Sequence, residues 1–108
     1  EALAERFGCH HGSLRDFGSI RPDVVVNATP VGMESDTASP LKKSDLAPGM
    51  TVFDLVYTPP ETPLIRIARS AGCTAITGKE MFIRQARAQF RQFTGIDAPL
   101  EMIREFLG

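Results

Sequence analysis

The sequence predicts an α/β fold: the later half of a doubly wound parallel sheet, followed by C-terminal helices. Three observations carry this. The runs Val24-Val25-Val26 and Val52-Phe53 are β-branched or aromatic and lack polar alternation, the pattern of strands buried on both faces of a parallel sheet. A helix-type segment separates the second run from a third at Ala75-Ile76, the strand–helix–strand order from which parallel sheets are built. Three or four strands are legible, few for this class, so the chain reads as half of a larger sheet.

Taken in order, Ala2, Leu3, Ala4 and Phe7 fall on helical spacing, and Gly8 stands where a C-cap belongs. No N-cap precedes Glu1, so this helix reads as cut from its own start. Gly8 to Arg21 is mixed, with a brief strand expected around His10. Asp23 to Ala28, between Pro22 and Pro30, reads as the first long strand. Thr29 to Pro48 is rich in Pro, Ser, Gly and Asp and reads as loop, with one helical turn near Ser44-Asp45-Leu46. Met50 to Tyr57 is the second strand, stopped by Pro59-Pro60, which cannot donate to a ladder. Glu61 to Ala71 follows as a helix, with Pro63 tolerated in its first turn and Gly72 as C-cap. Cys73 to Thr77 is a short third strand. Glu80 to Phe93 is a longer helix ended by Gly95, and Asp97 with Pro99 opens a last helix through Leu107.

A chain of 108 residues, 43% hydrophobic and 23% charged, can bury one core but has little room for two domains. Twelve Lys+Arg against thirteen Asp+Glu, net −1, exclude the basic excess of a general nucleic-acid binder. No apolar run approaches the roughly 20 residues of a membrane span. The N-terminal residues lack the basic and apolar regions of a secretion signal. Cys9 and Cys73 form no CxxC pair and are expected as free thiols in a reducing cytoplasm.

Chemistry is concentrated in two places. On the helix Glu80–Phe93, Phe82, Ile83, Ala86, Phe90 and Phe93 make one apolar stripe, Arg84, Arg87 and Arg91 an opposite, solvated face, and Gln85, Gln89 and Gln92 an edge beside the stripe. Amides on such an edge can bond a polyol or carboxylate, but periodicity alone favours a solvated helix shoulder. The strand ends Asn27-Ala28-Thr29-Pro30, Tyr57-Thr58-Pro59 and Thr77-Gly78 stand where open parallel sheets bind ligands, although simple punctuation of strand by loop explains them equally. Asp54, inside a strand, suits either a catalytic carboxylate or a structural one. Cys9-His10-His11 has metal-binding residue types, but adjacent residues on an extended segment point apart, so no metal site is expected. GxSxG, P-loop and GxGxxG patterns are all absent.

Four segments together resemble the shikimate dehydrogenase family. Asp23-Val24-Val25-Val26-Asn27-Ala28-Thr29-Pro30-Val31-Gly32-Met33 is similar to its D-hydrophobic-NATP-x-GM segment, and Val52 to Pro59 to its V-x-D-hydrophobic-x-Y-x-P strand. Glu61-Thr62-Pro63-Leu64 resembles the TPLL helix opening. Gly78, Met81, Gln85-Ala86, Phe90 and Thr94-Gly95 match the signature near the family's end. Thr58-Pro59-Pro60 departs from the more frequent Asn-Pro, and Phe82-Ile83-Arg84 from Leu-Val-His. The tail from Ile96 to Leu107 resembles the form fused behind a dehydroquinate dehydratase domain.

The resemblance implies a piece, residues 1–108, of a Rossmann-like NADP-binding domain, beginning past its glycine-rich loop and its basic 2′-phosphate motif. It implies reversible NADP-linked oxidation of shikimate to 3-dehydroshikimate in aromatic amino-acid biosynthesis. Tyr57 and Gln85 correspond to substrate-binding residues; Leu55, Gly78, Asn27, Thr29 and Met81 to cofactor-binding ones. No catalytic residue is implied here, because the family's proton-transferring Lys–Asp pair lies in an N-terminal catalytic domain. These residues alone are therefore expected to be inactive. The alternatives are a stand-alone half-Rossmann binding module, or a sibling that oxidises quinate with NAD.

An apolar strand at Val24–Ala28 without neighbours on one side would be an open edge, which invites pairing with a second chain. The isolated chain is expected to self-associate, and sedimentation at increasing concentration checks this; a monomer throughout would refute it.

Overall fold

The computed structural model describes residues 1–107. Three parallel strands form one sheet in the order β1 (Val24–Asn27), β2 (Thr51–Asp54), β3 (Thr74–Ile76). Register aligns Val25 with Val52 and Val52 with Ala75. Between β1 and β2 the crossover carries only a 3-10 turn, Lys43–Asp45. Between β2 and β3 it is helix α2 (Pro63–Ser70). α1 (Ala2–Phe7) precedes the sheet, and α3 (Gly78–Thr94) and α4 (Leu100–Leu107) follow it. The α/β class, the parallel order and the C-terminal helices all stand as expected from sequence.

Local chemistry explains the boundaries. Gly8 and Gly95 adopt left-handed backbone, φ 62° and 73°, and end α1 and α3. Thr62 caps α2 by accepting the Ile65 amide on its hydroxyl, with Pro63 at the first turn. Thr77 does the same for α3 through Glu80, so that helix begins at Gly78, two residues before the expected start.

Packing is one-sided. Val25, Val52, Leu41, Leu46, Met50, Leu64 and Ala68 form the core, with Phe17, Ala75 and Ile67 packed against it. All three core-facing strand positions lie on the face covered by α2. On the other face Val24 and Val26 remain 57% and 52% exposed. The expectation of strands buried on both faces therefore fails for β1: its burial alternates, because no described element covers the second face. A radius of gyration of 16.1 Å, against about 13 Å for a close-packed chain of this length, marks an extended, open shape.

Two further expectations are corrected, and a third is refined. No strand forms at His10; Ser13 instead caps a 3-10 segment over Leu14–Ser19 by accepting the Arg15 amide. The apolar stripe of α3 is buried fully only at Ile83: Phe82 and Phe90 are partly exposed, and Phe93 in the last turn is 85% exposed. The arginine face is solvated as expected, with Arg84 and Arg91 exposed, but it is also paired. Arg87 and Arg91 both reach Asp97, Arg84 pairs with Glu80, and Arg104 of α4 bonds Glu80 at 2.8 and 3.3 Å. The cysteines are free, Cys9 exposed and Cys73 half-buried with its thiol against the Ala47 carbonyl.

The Glu80–Arg104 pair makes α4 docking pH-sensitive. The hydrogen bond from Arg104, aided by its charge and that of Arg84, holds Glu80 below the usual glutamate range against the opposing effect of burial. A depressed folded-state pKa means that the contribution is complete above the ordinary glutamate range and lost as pH falls through the depressed value. Amide exchange in α4 should rise relative to α2 as pH is lowered through that range, and R104Q should abolish the difference.

Candidate functional site

The carboxyl ends of β1 and β2 meet at a buried carboxyl group. Asp54 is fully buried; its Oδ1 accepts from Asn27 Nδ2 at 3.0 Å and from the Val56 amide at 3.0 Å, and its Oδ2 accepts from Thr62 Oγ1 at 2.6 Å. One side chain thus joins the end of β1, the turn leaving β2 and the cap of α2. The sequence left Asp54 open between two roles, and the structure shows a structural hub with every carboxyl oxygen engaged.

Asn27 passes this order into the loop. Its Oδ1 accepts from the Thr29 amide and hydroxyl at 3.1 and 2.6 Å, and its Nδ2 also donates to the Val31 carbonyl at 3.4 Å. Asp36 then closes the loop by accepting from the Gly32 and Ala38 amides, and these two bonds hold its carboxyl below the usual range. Glu34 sits at φ 58°, uncommon for a residue with a side chain, with its amide donating to the Thr58 carbonyl at 2.6 Å. The Thr58–Pro59 peptide bond is cis.

A cleft of about 430 Å³ opens above these strand ends, within the range of small-molecule sites. Thr29, Met33, Glu34, Leu55 and Tyr57 line it. A second cleft shares Tyr57 and Thr58 and adds Lys79, Phe82 and Leu107. Tyr57 stacks on Phe82 with ring centroids 5.3 Å apart, which holds an otherwise half-exposed ring where the two clefts meet.

The residues singled out from sequence are thus partly gathered. Thr29, Leu55 and Tyr57 share the first cleft, and Asn27 lies beneath it, buried and committed to the loop. Gly78 starts α3 directly behind β2: a Cβ there would meet the Val56 and Leu55 carbonyl oxygens at 2.5 and 2.7 Å. Met81 and Gln85 continue along the same face of α3 at i+3 and i+7, Met81 half-buried and Gln85 exposed, neither lining the two clefts. Sequence reasoning missed Met33, Glu34 and Lys79 as lining residues. Only their nearness to the NATP segment and to Gly78 pointed to them. Among the described residues no group of three or more His, Cys, Asp or Glu is placed to hold a metal ion, and no helix is long and apolar enough to cross a membrane.

Comparison with known proteins gives consistent matches. Residues 78–105 match the family described as the shikimate 5′-dehydrogenase C-terminal domain. The chain is 43% identical over 86 residues to the shikimate dehydrogenase (NADP(+)) of Pelodictyon phaeoclathratiforme, covering 78% of this chain and 30% of that protein. It is 41% identical over 104 residues to the chloroplastic bifunctional 3-dehydroquinate dehydratase/shikimate dehydrogenase of Arabidopsis thaliana, covering 93% of this chain and 17% of that protein. Among solved structures, shikimate 5-dehydrogenase of Thermus thermophilus in complex with NADP(H) and shikimate superposes with a TM-score of 0.84 at 35% identity, over 96% of this chain and 39% of that one. Quinate dehydrogenase of Corynebacterium glutamicum in complex with NAD superposes with a TM-score of 0.82, also at 35% identity, over 97% and 39%. The chain spans about a third or less of the curated relatives quoted.

The Gly78 contact sets a test of the site's architecture. Gly78→Ala forces a methyl group against two backbone carbonyls that cannot rotate away, and should destabilise the fold by about 1–3 kcal/mol. Urea unfolding of the variant measures this. Thr62→Val, which removes both the bond to Asp54 and the α2 cap, should cost about 2–3 kcal/mol in the same experiment.

Proposed function

Because this chain belongs to the shikimate dehydrogenase family, we propose that it supplies the nicotinamide side and part of the substrate wall of an NADP-dependent enzyme interconverting shikimate and 3-dehydroshikimate. The observation that carries the reading is the cleft at the carboxyl ends of β1 and β2, where Thr29, Leu55 and Tyr57 converge above the Asp54 hub. Ligands bind at that end of open parallel sheets because loops there reach inward from neighbouring strands.

The cofactor fits the residues present. The cleft combines backbone polar groups with the apolar sides of Met33 and Leu55, and Gly78 keeps the start of α3 bare of side chain beside the Leu55 and Val56 carbonyls. In this reading the backbone of Leu55, the carbonyl of Gly78 and the side chain of Met81 hold the nicotinamide end, and Asn27 fixes the loop from which Thr29 lines the pocket. NADP, when bound, supplies the hydride acceptor. The hydroxyl of Tyr57 and the amide of Gln85 hydrogen-bond the substrate's polar groups and so orient the carbon that is oxidised. Proton transfer is assigned to a Lys–Asp pair in the family's other domain, so no residue here is catalytic and these 108 residues alone turn over nothing. The free thiols suit a reducing cytoplasm.

In the whole enzyme, Tyr57→Phe should lower kcat/KM for shikimate about tenfold or more, and Gln85→Ala should raise KM for shikimate by a similar factor. KM for NADP should stay unchanged in both. Steady-state assays with each substrate varied check this; an equal effect on the cofactor's KM would place these side chains elsewhere. The match to an NAD-complexed quinate dehydrogenase favours a second reading, oxidation of quinate with NAD. Comparing kcat/KM for shikimate and quinate with either cofactor decides between them.

A further inference from the structure

The outer face of α3 carries a feature that dehydrogenase chemistry does not use. Arg84, Arg87 and Arg91 recur at i, i+3 and i+7, which lines three guanidinium groups along about 10 Å of helix. At roughly 100° per residue they stand about 140–200° around the helix from Phe82, on the side away from Tyr57. Asp97 and Leu100, leading into α4, face them, and with Ala88 they enclose an open cavity of about 340 Å³.

The charges in this cavity are imperfectly matched. Asp97 approaches Arg87 Nη2 at 3.3 Å and Arg91 Nη1 at 3.4 Å, longer than the roughly 2.7–2.9 Å of a charge-assisted hydrogen bond. One carboxylate is shared between two guanidinium groups and fits neither closely. Arg84 gives its Nε to Glu80 at 3.1 Å, while Arg104 bonds Glu80 and reaches Glu101 at 3.6 Å. Four guanidinium groups therefore meet three carboxylates. Arg87 Nε is buried and lacks an acceptor, among the described residues. A buried donor without a partner is costly, and an acceptor reaches this one only when the groups covering it move aside.

We infer that this cavity binds a phosphate group. A tetrahedral oxyanion offers several acceptor oxygens in different directions, so on taking the place of Asp97 it can bond the terminal nitrogens of Arg84, Arg87 and Arg91 and, once uncovered, Arg87 Nε–H. Arginine suits this role because its fork of donors matches phosphate geometry. Asp97 acts as the competitor that the phosphate displaces.

The test is a titration of the protein with inorganic phosphate at constant ionic strength, following the arginine Nε–Hε resonances by NMR. Saturable shifts led by Arg87 are expected. R87K keeps the charge but removes the Nε donor and should weaken binding about tenfold, while D97N should tighten it severalfold. A parallel titration with glycerol 3-phosphate separates a phosphate ester from free phosphate by which binds more tightly. Shifts that fail to saturate, or an R87K variant that binds like the parent, would mean an adventitious ion only and overturn the proposal. Stronger response to a polyglutamate peptide than to either phosphate would also overturn it, by making the face a docking surface for acidic protein. None of these readouts depends on dehydrogenase activity.

Discussion

The architecture around the cleft depends on one buried carboxyl group. Asp54 has no exposed surface, and a carboxyl taken out of water without donors costs several kcal/mol. It is tolerated because three donors from three different parts of the chain converge on it: an amide side chain from β1, a backbone N–H from the turn after β2, and the hydroxyl that caps α2. Removing any one partner leaves the others holding a less satisfied buried group, so the strand ends, the turn and the helix cap stand or fall together. Hydrophobic contacts hold the sheet to α2, but this polar junction is what sets the relative positions of Thr29, Leu55 and Tyr57.

From that junction order spreads by short polar links. Asn27 spends its amide on Asp54 and Val31 and its carbonyl on Thr29, and Asp36 gathers the far side of the loop through two backbone amides. A loop rich in Pro, Gly and Ser would otherwise sample many conformations, each with a different cleft. The two aromatic rings, Tyr57 and Phe82, tie the segment that leaves β2 to α3 beside the cleft. Binding residues on loops gain their precision in this way, from side-chain bonds to a rigid frame.

The C-terminal helix pair is joined by different forces. α3 and α4 border an apolar cleft lined by Ala86, Phe90, Ala98 and Ile103, and are fastened by Glu80–Arg104 and by the looser arginine pairs with Asp97. The sheet's second face and the outer surface of α4 both remain apolar and exposed, with Val26 at 52% and Phe106 at 89%. They accord with a chain that spans only a fraction of the relatives it resembles.

Much of this was legible in the sequence by itself. β-branched runs, proline stops and glycine caps mark elements through local backbone physics, which needs no tertiary partner. The motifs around Asn27, Tyr57 and Gln85 carried the family for the same reason: they are contiguous or at fixed spacing. What only the tertiary structure decided were the contacts between distant positions. Asp54 could have been catalytic until Asn27 and Thr62 were seen to consume its oxygens, 27 and 8 residues away. Val24 and Val26 read as buried, yet burial depends on what lies across a face, and composition does not say so. Arg87 and Arg91 read as solvated and are, but that Asp97 comes round the turn after α3 to face them was not legible in the sequence. Local propensity is written residue by residue, whereas burial and charge pairing belong to pairs of residues that only folding brings together.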